Sequence, residues 1–155
     1  MANVLIGSYT ARLDASGRIK IPEKFRDVIE QFYGKDLFVT SLSDDSIKVY
    51  PLSVWLAMTD LTAEGALHLR PDVRKFMLRV NRNGSRHELD SKGRVLISQA
   101  LREKAKLRDE VEVLGLSNHL EIWNKDVLDG TLEEKPLSDE DFESIARLIP
   151  RGKPE

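Results

Sequence analysis

Polar and apolar positions along the chain follow one plan twice. In the first stretch Tyr9, Ala11 and Leu13 alternate with Thr10 and Arg12, the period of a half-buried strand. Asp14-Ala15-Ser16-Gly17 follows as a tight turn. Asp at the first turn position accepts backbone N–H groups, and Gly at the fourth tolerates a left-handed backbone. Ile19 and Ile21 mark a returning strand. Pro22 suits the first turn of a helix, and Phe25, Val28, Ile29 and Phe32 then recur at helical spacing, with Gly34 as the stop. Leu37–Leu42 and Ile47–Tyr50 predict a second strand pair around Ser43-Asp44-Asp45.

The plan returns at an offset of 76 residues, where Leu89-Asp90-Ser91-Lys92-Gly93-Arg94-Val95-Leu96-Ile97 matches Leu13 to Ile21. Ser98 stands in for Pro22 and is placed to cap a helix carrying Leu101 and Ala105. Val111 and Val113 alternate with Glu110 and Glu112, Asn118 occupies a turn, and Leu120 and Ile122 close the unit. A repeated supersecondary unit buries its apolar face against its copy, so the two stretches are expected to share one core.

Two helices are predicted between the repeats. One starts near Pro51 and carries Val54, Trp55 and Met58. The other starts at Pro71 and carries Val73, Phe76, Met77 and Val80, with Arg74, Lys75, Arg79 and Arg82 opposite and Asn83-Gly84 as its end. After Trp123 a short helical turn is expected to reach Gly130. Residues 130–137 and 150–155 read as mobile. Ser138-Asp139-Glu140-Asp141 is a capping sequence for a last helix with Phe142, Ile145 and Leu148, stopped by Pro150. The expected division is residues 5–55 and 85–128 for the repeats, 56–84 for a helical linker and 129–155 for an acidic helix and tail.

Composition changes this picture in two ways. There is no cysteine, which excludes disulfides, thiolate catalysis and cysteine metal sites. No apolar run approaches the roughly 20 residues of a membrane span, and the first residues lack a signal-peptide pattern, so a cytoplasmic protein is expected. Net charge is only −2, yet residues 70–108 carry net +8 and residues 109–155 net −8. Such asymmetry points to a basic surface for a polyanion, with solvated charge as the plainer explanation.

Candidate chemistry is confined to basic residues in and beside the two turns. Arg18 and Arg94 each leave a turn four residues after an Asp. Each could form an ion pair that fixes its hairpin, or a forked contact to phosphate or guanine. Lys20, Lys92, Arg12 and Arg86 flank the hairpins as phosphate contacts. Asp14, Gly17, Asp90 and Gly93 are assigned to the turns. His68, His87 and His119 lack metal-ligand spacing, so no metal site is expected. No nucleophile elbow, phosphate loop or dinucleotide fingerprint is present, so no catalytic residue, cofactor or small-molecule substrate is expected. Trp55 and Trp123 read as packing groups.

The paired Asp-x-x-Gly-Arg motifs carry a resemblance. With Ile21-Pro22, Phe25-Arg26, Val49-Tyr50-Pro51, Ile97, Leu101-Arg102 and Glu121-Ile122-Trp123, the chain resembles the MraZ family over residues 5–128. The resemblance implies an α+β fold: a swapped-hairpin β-barrel of AbrB type, double-psi-like, from two internal repeats with helices between and after. It implies a homo-oligomeric ring and a nucleoid-associated regulator. Such a regulator binds double-stranded DNA with short direct repeats upstream of division and cell-wall genes, and is expected to repress by occupying a promoter. It moves Arg18 and Arg94 toward DNA contact. Ser16 stands where the family often has Lys, Ser98 where it often has Pro, and residues 130–155 carry no family motif. The rival expectation is a ring-forming structural or interaction module with incidental DNA binding.

Overall fold

The computed structural model describes residues 4–60 and 69–150. The chain divides into two compact units, residues 1–125 and 126–155. In the first, β1 (Leu5–Arg12), β2 (Arg18–Lys20), α1 (Glu23–Phe32), β3 (Asp36–Thr40) and β4 (Ile47–Pro51) form the first repeat. Helices α2 (Leu52–Met58) and α3 (Pro71–Arg82) follow. Then β5 (Ser85–Glu88), β6 (Arg94–Leu96), α4 (Gln99–Lys104), β7 (Glu110–Ser117) and β8 (Leu120–Trp123) repeat the order. The fold is mixed α+β with an antiparallel sheet and six helices among the described residues.

The strands pair across the repeats. The larger sheet runs β1-β7-β8-β4-β3-β5, and β2 pairs with β6 in a separate two-stranded ribbon. The first strand of each repeat thus lies against the third strand of the other: Tyr9 faces Val113 in β1·β7, and Leu37 faces His87 in β3·β5. The fourth strands meet each other, with Val49 opposite Leu120. The expected hairpin is therefore only a turn. Its arms are joined by a single bridge, Leu13 to Ile19, and then part to find partners in the other copy. The apolar pattern dictates this. Ile19, Ile21, Val95 and Ile97 are all buried in the same cluster with Phe25, Ile29, Leu101 and Val113, and neither repeat could enclose that set alone.

The helices end close to their sequence signals. Pro22 precedes α1, and Gly34 leaves it at φ +90°. Ser98 caps α4 by accepting the Leu101 amide at 3.3 Å. In α1, α2 and α3 three apolar positions differ from the helical pattern: Phe32, Met58 and Phe76 are 43%, 53% and 42% exposed. A second cluster gathers Phe38, Tyr50, Trp55 and Val80, with Phe38 stacked on Trp55 at 4.7 Å. Trp55 is therefore a packing group. Trp123 is also buried and donates to Glu121 Oε1 at 2.8 Å.

In the second unit the helix after Trp123 is longer than the sequence suggests. α5 runs Lys125–Glu134 straight through Gly130. Interior glycine costs only about 1 kcal/mol, and the stop comes from Pro136, which disfavours helix in the residue before it. Ser138 and Asp141 form a reciprocal capping box for α6 (Asp139–Leu148), whose apolar residues Phe142, Ile145 and Leu148 share one face. Residues 151–155 of the expected mobile end, and His68, lie outside the described residues.

Candidate nucleic-acid interface

The two turns have the same internal bonding. Asp14 Oδ1 accepts the Ser16 amide at 2.9 Å and the Arg18 amide at 3.0 Å. Asp90 Oδ1 accepts those of Lys92 and Arg94 at 2.9 and 2.8 Å. Gly17 and Gly93 donate back to the carbonyls of Asp14 and Asp90 and sit at φ +81° and +75°, where a side chain is strained. Their own carbonyls are used across the repeats: Gly17 accepts Ile97 N–H at 2.9 Å, and Gly93 accepts Ile21 N–H at 3.0 Å. Each turn is thus fastened at both ends before any side chain beyond it is placed.

The turns aim a short ribbon. In β2·β6 Arg18 faces Leu96, Ile19 faces Val95 and Lys20 faces Arg94. Strand alternation sends Ile19 and Val95 into the core and sets Arg18, Lys20, Arg94 and Leu96 on the outer face. β2 lies beside β1 and β6 beside β5, the two edge strands of the large sheet. The ribbon is therefore held along both flanks. Lys92 is exposed at the tip of the second turn, where the first turn has Ser16.

The two arginines are not equivalent. Arg94 Nε donates to Asp90 Oδ2 at 2.8 Å, and its Nη1 reaches Asp14 Oδ2 at 3.2 Å. The ion pair that the spacing allows between Asp14 and Arg18 does not form; Asp14 is taken by Arg94 instead. Arg18 makes no ion pair among the described residues. The Ser16 hydroxyl, then the Arg18 and Ser16 amides and the Arg94 guanidinium, hold the Asp14 carboxyl at about 2 despite some desolvation. Asp90 is lowered by the Arg94 amide and then its guanidinium. Both carboxylates are anionic at neutral pH and serve the turns, so of the two arginines only Arg18 is without an ion pair among the described residues. His87 on β5 senses it: burial first, and the Arg18 charge second, push its imidazole below the usual value.

The remaining basic positions are spread out. Arg12 and Arg86 stand on the two edge strands, Arg12 opposite Glu110 and Arg86 paired with Asp36 at 3.2 Å. On α3, Arg79 pairs with Asp44 at 3.3 Å. Two arginines the sequence offered only as motif residues come to the turns. Arg102 lays its guanidinium against Gly17, within 3.1–3.3 Å of where a Cβ would stand. Arg26 does the same at Gly93, its Cδ 2.7 Å and its Nε 2.9 Å from that position. Each turn is covered by the arginine of the opposite repeat. The signal was present in sequence as an Arg nine residues after each Gly, but the crossing that makes it meaningful was not.

Known proteins resemble the chain in sequence. A family model described as "MraZ protein, putative antitoxin-like" matches residues 82–147, which carries the likeness beyond residue 128 and into the acidic end. A protein of Acidobacterium capsulatum named transcriptional regulator MraZ is 34% identical over 142 residues, 92% of this chain and 97% of its own length. Proteins of the same name from Finegoldia magna and Pediococcus pentosaceus are 33% and 32% identical, covering 90% and 94% of this chain and 94% and 96% of theirs. With its two turn motifs intact and relatives aligned along nearly all of both chains, the protein belongs to the MraZ family.

Proposed function

We propose that this protein is a transcriptional regulator that binds double-stranded DNA through the outer face of the β2·β6 ribbon. The observation that carries the reading is the placement of Arg18, Lys20 and Arg94 on one face of a two-stranded ribbon, gripped by turns at both ends. The major groove admits a two-stranded β-ribbon, and rigid strands hold forked donors better than loops do. Arg18 is the base- or phosphate-reading group, Lys20 and Lys92 are phosphate contacts, and Arg94 is shared between turn and DNA. Arg12 and Arg86 flank this surface. Asp14, Gly17, Asp90 and Gly93 keep it in shape. The names of the relatives support a regulatory role over an enzymatic one.

The finer reading has three parts. The cross-repeat pairing supports a swapped-hairpin barrel completed within one chain by residues 5–55 and 85–128. The exposed Leu78 and Phe76 on α3 support a homo-oligomer, a ring in which several ribbons engage several direct repeats. Linked weak contacts then multiply affinity through effective concentration. Its targets are repeats upstream of the division and cell-wall gene cluster, its effect is repression by promoter occupancy, and its place is the cytoplasm, on the nucleoid. A mobility-shift titration of the protein on its own upstream DNA tests this. Retardation of the repeat-bearing fragment at concentrations that leave a scrambled fragment free supports it; equal retardation favours a structural module with incidental DNA binding.

A further inference from the structure

The two arginines that cover the turns differ in one respect. Arg26 Nε donates to Glu30 Oε1 at 3.1 Å, four residues on along α1. Arg102 has Lys106 four residues on, and its Nε is buried with no hydrogen-bond partner among the described residues. A cation stands where the first repeat supplies the carboxylate. The helix also differs: α4 stops at Lys104, and Lys106 turns off it at φ +57°. What opens there is a cleft of about 430 Å³ lined by Leu13, Arg102, Glu103, Lys106, Leu107 and Arg108.

The chemistry of that cleft is one-sided. Three cations face one carboxylate, and Glu103 is already engaged by the Gln99 amide at 3.0 Å. The last carbonyls of α4 are also used, by the amides of Ala105, Lys106 and Leu107, which blunts the negative end of the helix. A buried guanidinium N–H without an acceptor is costly, and an anion that carries several acceptor oxygens suits this arrangement.

We propose that the Arg102–Lys106–Arg108 cleft is a phosphoryl-binding site, whose natural occupant is a DNA backbone phosphate beside the stretch that the ribbon reads. The assignment of DNA as the source rests on the function proposed above; the phosphoryl chemistry does not. Arg102 links the two sites directly, since its guanidinium rests on the Gly17 turn that aims Arg18. An occupied cleft would fasten that turn.

Two measurements on the full chain separate these statements. The first follows thermal unfolding against inorganic phosphate at constant ionic strength, replaced by chloride in the control. Wild type gains a saturable rise in Tm, and Lys106→Gln/Arg108→Gln keeps only the shallow, non-saturable part. Lys106→Glu behaves the same way. The second follows the salt dependence of binding to repeat-bearing and scrambled duplexes. The double variant flattens the log–log slope by about one unit per lost contact, equally on both duplexes. Loss of the saturable Tm rise with an unchanged slope keeps the phosphoryl site and assigns it to a free phosphorylated molecule. Retention of both the saturable rise and the slope in the double variant overturns the proposal. The Tm arm needs no DNA, so failure of the ribbon reading, seen as wild-type binding by Arg18→Ala, leaves it interpretable.

Discussion

Arg94 ties the second turn to the first: its Nε holds Asp90 of its own turn at 2.8 Å, while its Nη1 reaches Asp14 of the other repeat at 3.2 Å. Arg18, at the matching position, has no such bond among the described residues. Two arginines equal in sequence therefore divide the work. One fixes the relation between the turns, and the other keeps its guanidinium out of any ion pair among the described residues, as the proposed DNA contact requires.

That division predicts different phenotypes. Arg94→Ala leaves Asp14 and Asp90 without their shared cation, so it lowers Tm as well as DNA affinity. Arg18→Ala leaves Tm at the wild-type value. Thermal melts of the two variants at neutral pH and moderate salt check this. Equal loss of Tm in both would mean that Arg18 also braces the fold.

The glycines of the turns are expected to differ in tolerance. Either Gly→Ala change must hold a side chain at positive φ, at a cost of about 1–3 kcal/mol. At Gly93 the new Cβ also meets Arg26 Cδ and Nε at 2.7 and 2.9 Å, whereas at Gly17 the nearest atom is Arg102 Cζ at 3.1 Å. Gly93→Ala is thus the more destabilising of the two in urea titration. The reverse order would show that Arg26 moves aside freely while Arg102 does not.

An acid-sensitive support lies on the β4·β8 pair. Burial pulls the Glu121 carboxyl upward, but the side chains of His119, Lys48 and Trp123, with the Lys48 charge 2.7 Å away, outweigh it and hold the group at about 2 against an ordinary 4.5. Because the folded value is depressed, this stability is complete above about pH 4.5 and is lost as pH falls toward 2. Glu121→Gln leaves the Lys48 ammonium without its carboxylate and costs about 1–3 kcal/mol at pH 7. Its penalty shrinks in urea titrations repeated at pH 3. A penalty that is the same at both pH values would contradict the ionic role.

Leu78 is 56% exposed on α3 and lies in a groove with Met77, Arg74 and Arg82. If that face joins copies of the chain, Leu78→Glu reduces the assembly. Light scattering should give the wild type a mass above that of two 17.6 kDa chains, and the variant a smaller one. A wild type of about 18 kDa that stays so with increasing concentration would remove the oligomer from the account.

Much of this architecture was legible in the chain because local chemistry fixes it. The Asp-to-Gly turns, the Ser98 cap and the Ser138–Asp141 box each need only neighbouring residues. What lay hidden depends on the crossing of the repeats. Arg94 meets Asp14 across 80 residues of chain, and Arg26 covers a turn that begins at Asp90. Spacing within one repeat cannot reveal either contact. The length of α5 is hidden for another reason: Gly130 reads as a stop, yet a glycine inside a helix only weakens it.

The most direct test of the ribbon surface is a fluorescence-anisotropy titration of Arg18→Ala on repeat-bearing and scrambled duplexes at two salt concentrations. The variant should assemble and melt like wild type but bind the repeat duplex more weakly. A lost base contact removes about 1–3 kcal/mol per site and narrows the preference for the repeat. A lost phosphate contact weakens both duplexes alike and flattens the salt slope by about one unit. If a correctly assembled Arg18→Ala protein binds both duplexes with wild-type affinity and salt dependence, the ribbon is not the DNA-binding surface.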